Sequence, residues 1–176
     1  MKRILFASLL LMVFACAKAQ TKEKIETQKV EEKTTYYFIR HSEKNRAVRT
    51  NNPDLLKKGQ SRAQNWADYF KDVSFDAVYS TNFNRTKQTA TPTAKQNNLK
   101  LIIYNPSKLD YDAFKAETKG KTVLIVGHSD TTPQFVNKII GEDKYSPIND
   151  RVNSKLFIVT ITGNEITSEV LNIEHN

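Results

Sequence analysis

The sequence has one cysteine, Cys16, among 176 residues. A single thiol cannot close an internal disulfide, so the folded part must be held by its core alone. Long hydrophobic runs are missing too. The one extended apolar stretch, Ile4 to Ala15, falls short of the roughly 20 residues that a bilayer-spanning helix needs. There is no arginine-rich run, no basic tract interleaved with aromatics and no zinc-finger spacing, which excludes the usual nucleic-acid devices. Histidine is scarce, with His41, His128 and His175 making up the whole complement. That scarcity makes their positions informative.

The N-terminus reads as an export signal. Lys2 and Arg3 open it, the apolar run follows, and small residues surround Cys16. Two processing routes fit. "VFAC" resembles a bacterial lipobox that would make Cys16 a lipidated first residue, although Phe14 is bulky for one. Alternatively, cleavage at a small-x-small site such as Ala17-Lys18-Ala19 would release the chain. The expectation is a signal over residues 1–19 and a charged tether over 20–33, "QTKEKIETQKVEEK", followed by one domain over 34–176. The product would be exported from a bacterial cytoplasm, either periplasmic or anchored through a lipid on Cys16. Removing Lys2, Arg3 and Lys18 leaves 24 basic against 19 acidic residues, a net +5. That balance suits an anionic ligand.

From Thr34 onward, short apolar runs alternate with segments of helical periodicity. "TTYYFI" is a strand, and "LKKGQSRAQNWADYFKD" places Ala63, Trp66, Ala67 and Phe70 at helical spacing. "FDAVYS" and "LKLIIYN" are strands, "NRTKQTATPTAKQNN" is a helix starting near Asn84, and "LDYDAFKAETKG" is a helix closed by Gly120. "KTVLIVG" is the most continuous apolar run and predicts a central strand covered on both faces. "TTPQFVNKIIG" is a helix with Pro133 in its first turn and Gly141 at its end. "SKLFIVTITGNEITSEVLNI" predicts a terminal hairpin turning at Gly163-Asn164. The fold class is therefore α/β: a three-layer α/β/α sandwich around a mostly parallel sheet, with an antiparallel edge from the C-terminal hairpin.

In such sheets ligands bind beyond the carboxyl ends of the strands. The residues there are Arg40-His41, then Ser80 to Arg85, then His128-Ser129-Asp130. Any one of them alone would pass as an ordinary polar strand end. Two imidazoles and two guanidiniums at one rim are costly without an anion between them, and a phosphate suits arginine forks.

"FIRHSEK" resembles the Arg-His motif of the histidine phosphatase superfamily, whose fold is phosphoglycerate mutase-like. "YSTNFNRTKQTA" resembles its second motif, "IVGHS" its third, and "LLKKGQSRAQNWADYF" the Leu-x-x-x-Gly-x-x-Arg-Ala segment after the first. The four resemblances occur in order between about Tyr36 and Phe135. They imply that His41 is a nucleophile forming a phosphohistidine, and that Arg40, Arg85 and His128 bind the phosphoryl group. They imply no cofactor and no metal, because the arginines neutralise charge that Mg²⁺ would otherwise carry. The implied partner is a phosphorylated small molecule or phosphoprotein, handled by a monomer of a small branch lacking large insertions.

This sequence departs from that pattern in Ser42, where many members have glycine, and in Asn82, where a proline is frequent. No carboxylic acid is evident after the second motif, only Asp110 and Asp112 on a short helix. Glu43 and Asp130 adjoin the motifs, and either could protonate a leaving group. The plainer alternative pairs Glu43 with Lys44 or Arg40 and has Asp130 cap the following helix. Two rival functions follow. "VGHSDT" reads as most of a nucleophile elbow, making Ser129 an esterase serine with His175 and Asp143 or Asp150 behind it, although Thr131 replaces the final glycine. An exported module that binds a phosphorylated ligand in the same pocket is the other. A metal site built from His41, His128, Glu43 and Asp130 is opposed by the neighbouring arginines.

Overall fold

The computed structural model describes residues 32–174. The expected signal, nearly all of the tether, Cys16 and His175 lie outside the described residues. Six strands form one sheet: β1 (Lys33–Arg40), β2 (Ala77–Thr81), β3 (Leu101–Tyr104), β4 (Thr122–Gly127), β5 (Lys155–Thr162) and β6 (Glu165–Asn172). Their order across the sheet is β3-β2-β4-β1-β5-β6. The first four strands are mutually parallel, and the β5–β6 hairpin closes one side antiparallel to β1. Among the described residues no helix is long and apolar enough to cross a membrane.

Four helices cover the two faces: α1 (Lys57–Tyr69), α2 (Asn84–Gln96), α3 (Tyr111–Glu117) and α4 (Thr131–Ile140). Alternation along β4 explains the layering, because successive side chains on a strand point to opposite faces. Leu124 and Val126 join Trp66 and Phe70 of α1 and Ala90 and Ala94 of α2. Val123 and Ile125 join Phe114 of α3 and Phe135, Val136 and Ile139 of α4. Both clusters are built of aliphatic and aromatic side chains, and removing a side chain such as Phe135 to alanine costs about 3–5 kcal/mol in a site of this kind. β4 is the central strand that its unbroken apolar run predicts.

Register then delivers the site. Arg40 on β1 pairs with Gly127 on β4, and Ser80 on β2 pairs with Val126. The residues that follow are His41, His128 and Thr81, so three adjacent strands end at one level. The His41 amide still bonds the Gly127 carbonyl at 3.0 Å, which holds the two histidine-bearing turns together.

Candidate active site

His41 is buried, and its Nδ1 lies 2.7 Å from the backbone carbonyl of Ser42. A carbonyl only accepts, so Nδ1 must carry the proton and Nε2 keeps its lone pair. The chain therefore presents the nucleophilic nitrogen by fixing the other one. The His128 ring stands 5.6 Å from the His41 ring, centre to centre, at 66°. Its Nδ1 lies 3.4 Å from Arg85 Nη2, and its Nε2 lies 2.9 Å from Thr81 Oγ1. Arginine can only donate, so the neutral tautomer that satisfies both contacts has Nε2–H donating to Thr81. The Thr81 hydroxyl can then donate to Thr86 Oγ1, at 2.9 Å.

The imidazoles are held neutral. Burial pushes His41 down from 6.5 to about 3, and Arg40, His128 and Arg85 push the same way against the Ser42 bond. His128 falls to about 4, by burial first and then by Arg85. An anion seated among these groups would oppose both shifts. Two buried guanidinium donors, Nε of Arg40 and Nε of Arg85, have no acceptor. A cleft of about 790 Å³ opens in front of His41, His128, Arg85, Lys44 and Asp150.

The sequence motifs now acquire structural jobs. Thr89, in the second motif, accepts from the Ser42 amide at 2.9 Å and donates to the Arg85 carbonyl at 2.7 Å. One hydroxyl thus ties the turn carrying His41 to the helix carrying Arg85. Gly59, in the Leu-x-x-x-Gly segment, lets α1 ride against that same turn. A Cβ on it would fall on the Glu43 carbonyl oxygen and 2.9 Å from the Glu43 amide nitrogen.

Glu43 does not pair with Lys44 or Arg40. Its two carboxylate oxygens accept from Arg62 Nε at 3.0 Å each, and Arg62 Nη2 lies 2.9 Å from one of them. The sequence neighbours lose because adjacent residues in extended chain point apart, whereas α1 presents Arg62 directly. Burial would raise the Glu43 carboxyl, but the Arg62 bonds, a backbone hydrogen bond and the charges of Arg62 and Lys58 together hold it below the usual carboxylate range. Asp130 caps α4, accepting from the Thr131 amide at 2.8 Å, and also lines the cleft. Asp110 caps α3 and Asp112 pairs with Lys115. Of the esterase residues, Ser129 and Asp150 both line the cleft, but Asp150 is held by arginines, and Asp143 lies at a separate depression beside Tyr145.

That binding is what sequence reasoning missed. Arg40, 1% exposed, donates to the Val152 carbonyl at 2.9 Å and to the Asp150 carboxylate. Asp150 also pairs with Arg46 at 2.6 Å, and Asn153 donates to the His41 carbonyl at 2.7 Å. The segment between α4 and β5 therefore supports the Arg40-His41 turn from behind. Among the described residues no group of three His, Cys, Asp or Glu side chains gathers to hold a metal.

Residues 36–105 match the model of the histidine phosphatase superfamily, branch 1. The resemblance of the motifs to that superfamily holds, and the match points to phosphatase- or mutase-type chemistry. The fold agrees. The protein histidine phosphatase SixA in complex with tungstate superposes with a TM-score of 0.63 at 17% identity, over 78% of this chain and 96% of that one. A phosphoglycerate mutase from Bacillus anthracis gives 0.61 at 17% identity, over 82% and 95%. A phosphoserine phosphatase from Entamoeba histolytica, in complex with phosphoserine, gives 0.60 at 12%, over 77% and 94%. No curated protein sequence matches the chain. His128 lies outside the matched stretch of the superfamily model and reaches the site through β4.

Proposed function

We propose that the protein is a phosphatase that hydrolyses phosphomonoesters, or phosphohistidine, through a phosphohistidine on His41. The observation that carries this reading is the His41–Ser42 bond, which leaves an unprotonated Nε2 beside two arginines and a second imidazole. In the first step the Nε2 lone pair attacks phosphorus in line. An N–P bond forms, the P–O or P–N bond to the leaving group breaks, and the leaving group departs with the electron pair. Arg40 and Arg85 neutralise the equatorial oxygens, and His128, protonated at Nδ1 under the pull of the bound anion, donates to them. Water then attacks the phosphohistidine, the N–P bond breaks toward His41, and phosphate and a neutral imidazole are restored. No metal enters this scheme.

Protonation of the leaving group is the weak element. Glu43 is committed to Arg62 and Asp150 to arginines, so Asp130, which caps α4 through one oxygen, is the cleft carboxyl without an arginine partner. This favours leaving groups that depart with little help, such as aryl oxides or the imidazole of a phosphohistidine.

The test is turnover of p-nitrophenyl phosphate by the full chain, beside His41→Ala and Ser129→Ala. Loss in His41→Ala alone is expected, and a His41→Ala enzyme of full activity would sink the proposal. Esterase activity on p-nitrophenyl acetate, abolished in Ser129→Ala, would favour the elbow. Phosphate binding without turnover of any substrate would favour a binding module. The pH profile supplies an independent check. With His41 neutral above about pH 3, kcat/KM should hold from pH 7 down to pH 5 without the loss that an unperturbed imidazole near 6.5 would cause. Export, with or without a lipid on Cys16, belongs to the same proposal, and the mass of the mature N-terminus decides between the two routes.

A further inference from the structure

The cleft has two unlike walls. Lys44 and Arg85 supply its cationic side, with the neutral imidazoles of His41 and His128 between them. Also lining it are Ile103, Tyr104, Asn105, Pro106 and Ser107, the end of β3 and the turn that follows, without one charged side chain. β3 is an edge strand, and no large hydrophobic side chain among the described residues is more exposed than Ile103, at 47%. The turn is already formed: the Ser107 amide bonds Asn105 Oδ1 and the Lys108 amide bonds the Asn105 carbonyl, each at 3.0 Å. Phe83 continues the apolar surface inward, its ring 5.1 Å from that of His128 and under the Arg85 guanidinium at 4.4 Å.

A phosphoryl group on His41 occupies only the cationic side of a cleft this large. We infer that the Ile103–Pro106 wall, with Phe83, is a leaving-group subsite that selects an uncharged aliphatic or aromatic group. The inference rests on the phosphatase reading and adds to it what the other half of the substrate must be. Apolar surface at the lip of a polar site is the usual device for orienting the part of a ligand that does not react. A leaving group carrying further phosphates would meet no cation on that wall and would face Asp130. Ile102 supplies a built-in control. It neighbours Ile103 on the same strand and is 41% exposed, yet it points to the opposite face and does not line the cleft.

The experiment is calorimetric titration of the full chain with n-alkylphosphonates from methyl to hexyl, which bind without turnover. Kd should fall by about tenfold across the series, less than the roughly fourfold per methylene of full burial because the wall is open. In Ile103→Ser the hexyl-to-methyl ratio should drop below about threefold. Ile102→Ser should keep the ratio of the unaltered protein. Equal affinity for methyl and hexyl compounds would overturn the subsite while leaving the anion site standing. Equal loss of the ratio in both isoleucine variants would overturn it as well. Binding of neither the phosphonates nor inorganic phosphate would overturn the phosphatase reading and the subsite together.

Discussion

Glu43 and Asp150 are both carboxylates held by arginine beside the Arg40-His41 turn, and they belong to two differently built supports. On the α1 side Glu43 is 19% exposed, meets Arg62 at 12% exposed, and sits where Gly59 brings the helix onto the backbone. On the other side Asp150 is 49% exposed and reaches Arg40 and Arg46 from the segment between α4 and β5. The first support is closed, whereas in the second a buried Arg40, 1% exposed, meets an acid that is half open to water. Charge works differently in the two places. A pair removed from solvent contributes to the fold because its loss leaves a desolvated charge, whereas an exposed pair contributes little stability but sets the local potential. The α1 side should therefore govern whether the site exists, and the Asp150 side how tightly it holds an anion.

The largest effect should come from Gly59→Val. Its side chain would collide with the Glu43 backbone, which cannot swing aside as a side chain could. Against backbone that cannot give way, overpacking should cost at the top of its usual range or beyond, about 3 kcal/mol or more. Chemical denaturation should show that loss, and activity should fall with it because the turn carrying His41 must move. Arg62→Met is next, removing the Arg62 hydrogen bonds to the Glu43 carboxylate and leaving Lys58, at 3.9 Å, as its nearest cation. Stability should drop by roughly 2–3 kcal/mol, and raising the salt concentration should not recover it. If either variant keeps its full stability, the closed support is misassigned.

Glu43→Gln sharpens the comparison further. Glutamine keeps one acceptor for Arg62, so the loss should stay near about 1 kcal/mol. A group acting as proton donor would cost far more in rate, about 10²- to 10⁴-fold on substrates with poor leaving groups. Retained kcat on phosphoserine relative to p-nitrophenyl phosphate is the expected outcome. A selective collapse on phosphoserine would make Glu43 the acid despite its partner.

Much of this was legible in the sequence for a simple reason: Arg40, His41 and His128 sit at the ends of strands whose apolar runs are unmistakable, and Arg85 opens the helix after another. Strand ends in a parallel sheet converge, so local patterns predicted a shared site. The partner of Glu43 was harder, although a signal existed. Arg62 falls on the stripe of Gly59, Ala63 and Trp66 that α1 buries, and a cation on a buried stripe needs an acid. Asp150 and Asn153 gave no such signal. They lie 110 and 112 residues from Arg40 and His41, on a segment without regular structure, and only the folded chain brings them together. The tautomers of the two histidines were equally hidden, since they depend on a carbonyl and a threonine hydroxyl.

The smallest stability effect should belong to Asp150→Asn, and its effect on binding should run the other way. Asp150 is the acid among Arg40, Arg46 and Lys44, whose charges together hold its carboxyl below the usual range. Burial would raise that carboxyl, so its depression is the work of the surrounding cations, and it stays ionised wherever phosphate is bound. Asparagine keeps an oxygen that accepts from the buried Arg40, so folding stability should change by no more than about 1 kcal/mol. Inorganic phosphate, however, should inhibit the variant more strongly, because one negative charge facing the same arginines is gone. Across a few ångströms of well-hydrated space a unit charge is worth about 1 kcal/mol, so the inhibition constant should tighten by roughly fivefold. Added salt should shrink that difference, as screening weakens charges that water can reach. A variant that loses phosphate affinity instead would show that Asp150 chiefly positions the Arg40 guanidinium, and that the open support shapes the site as strongly as the closed one.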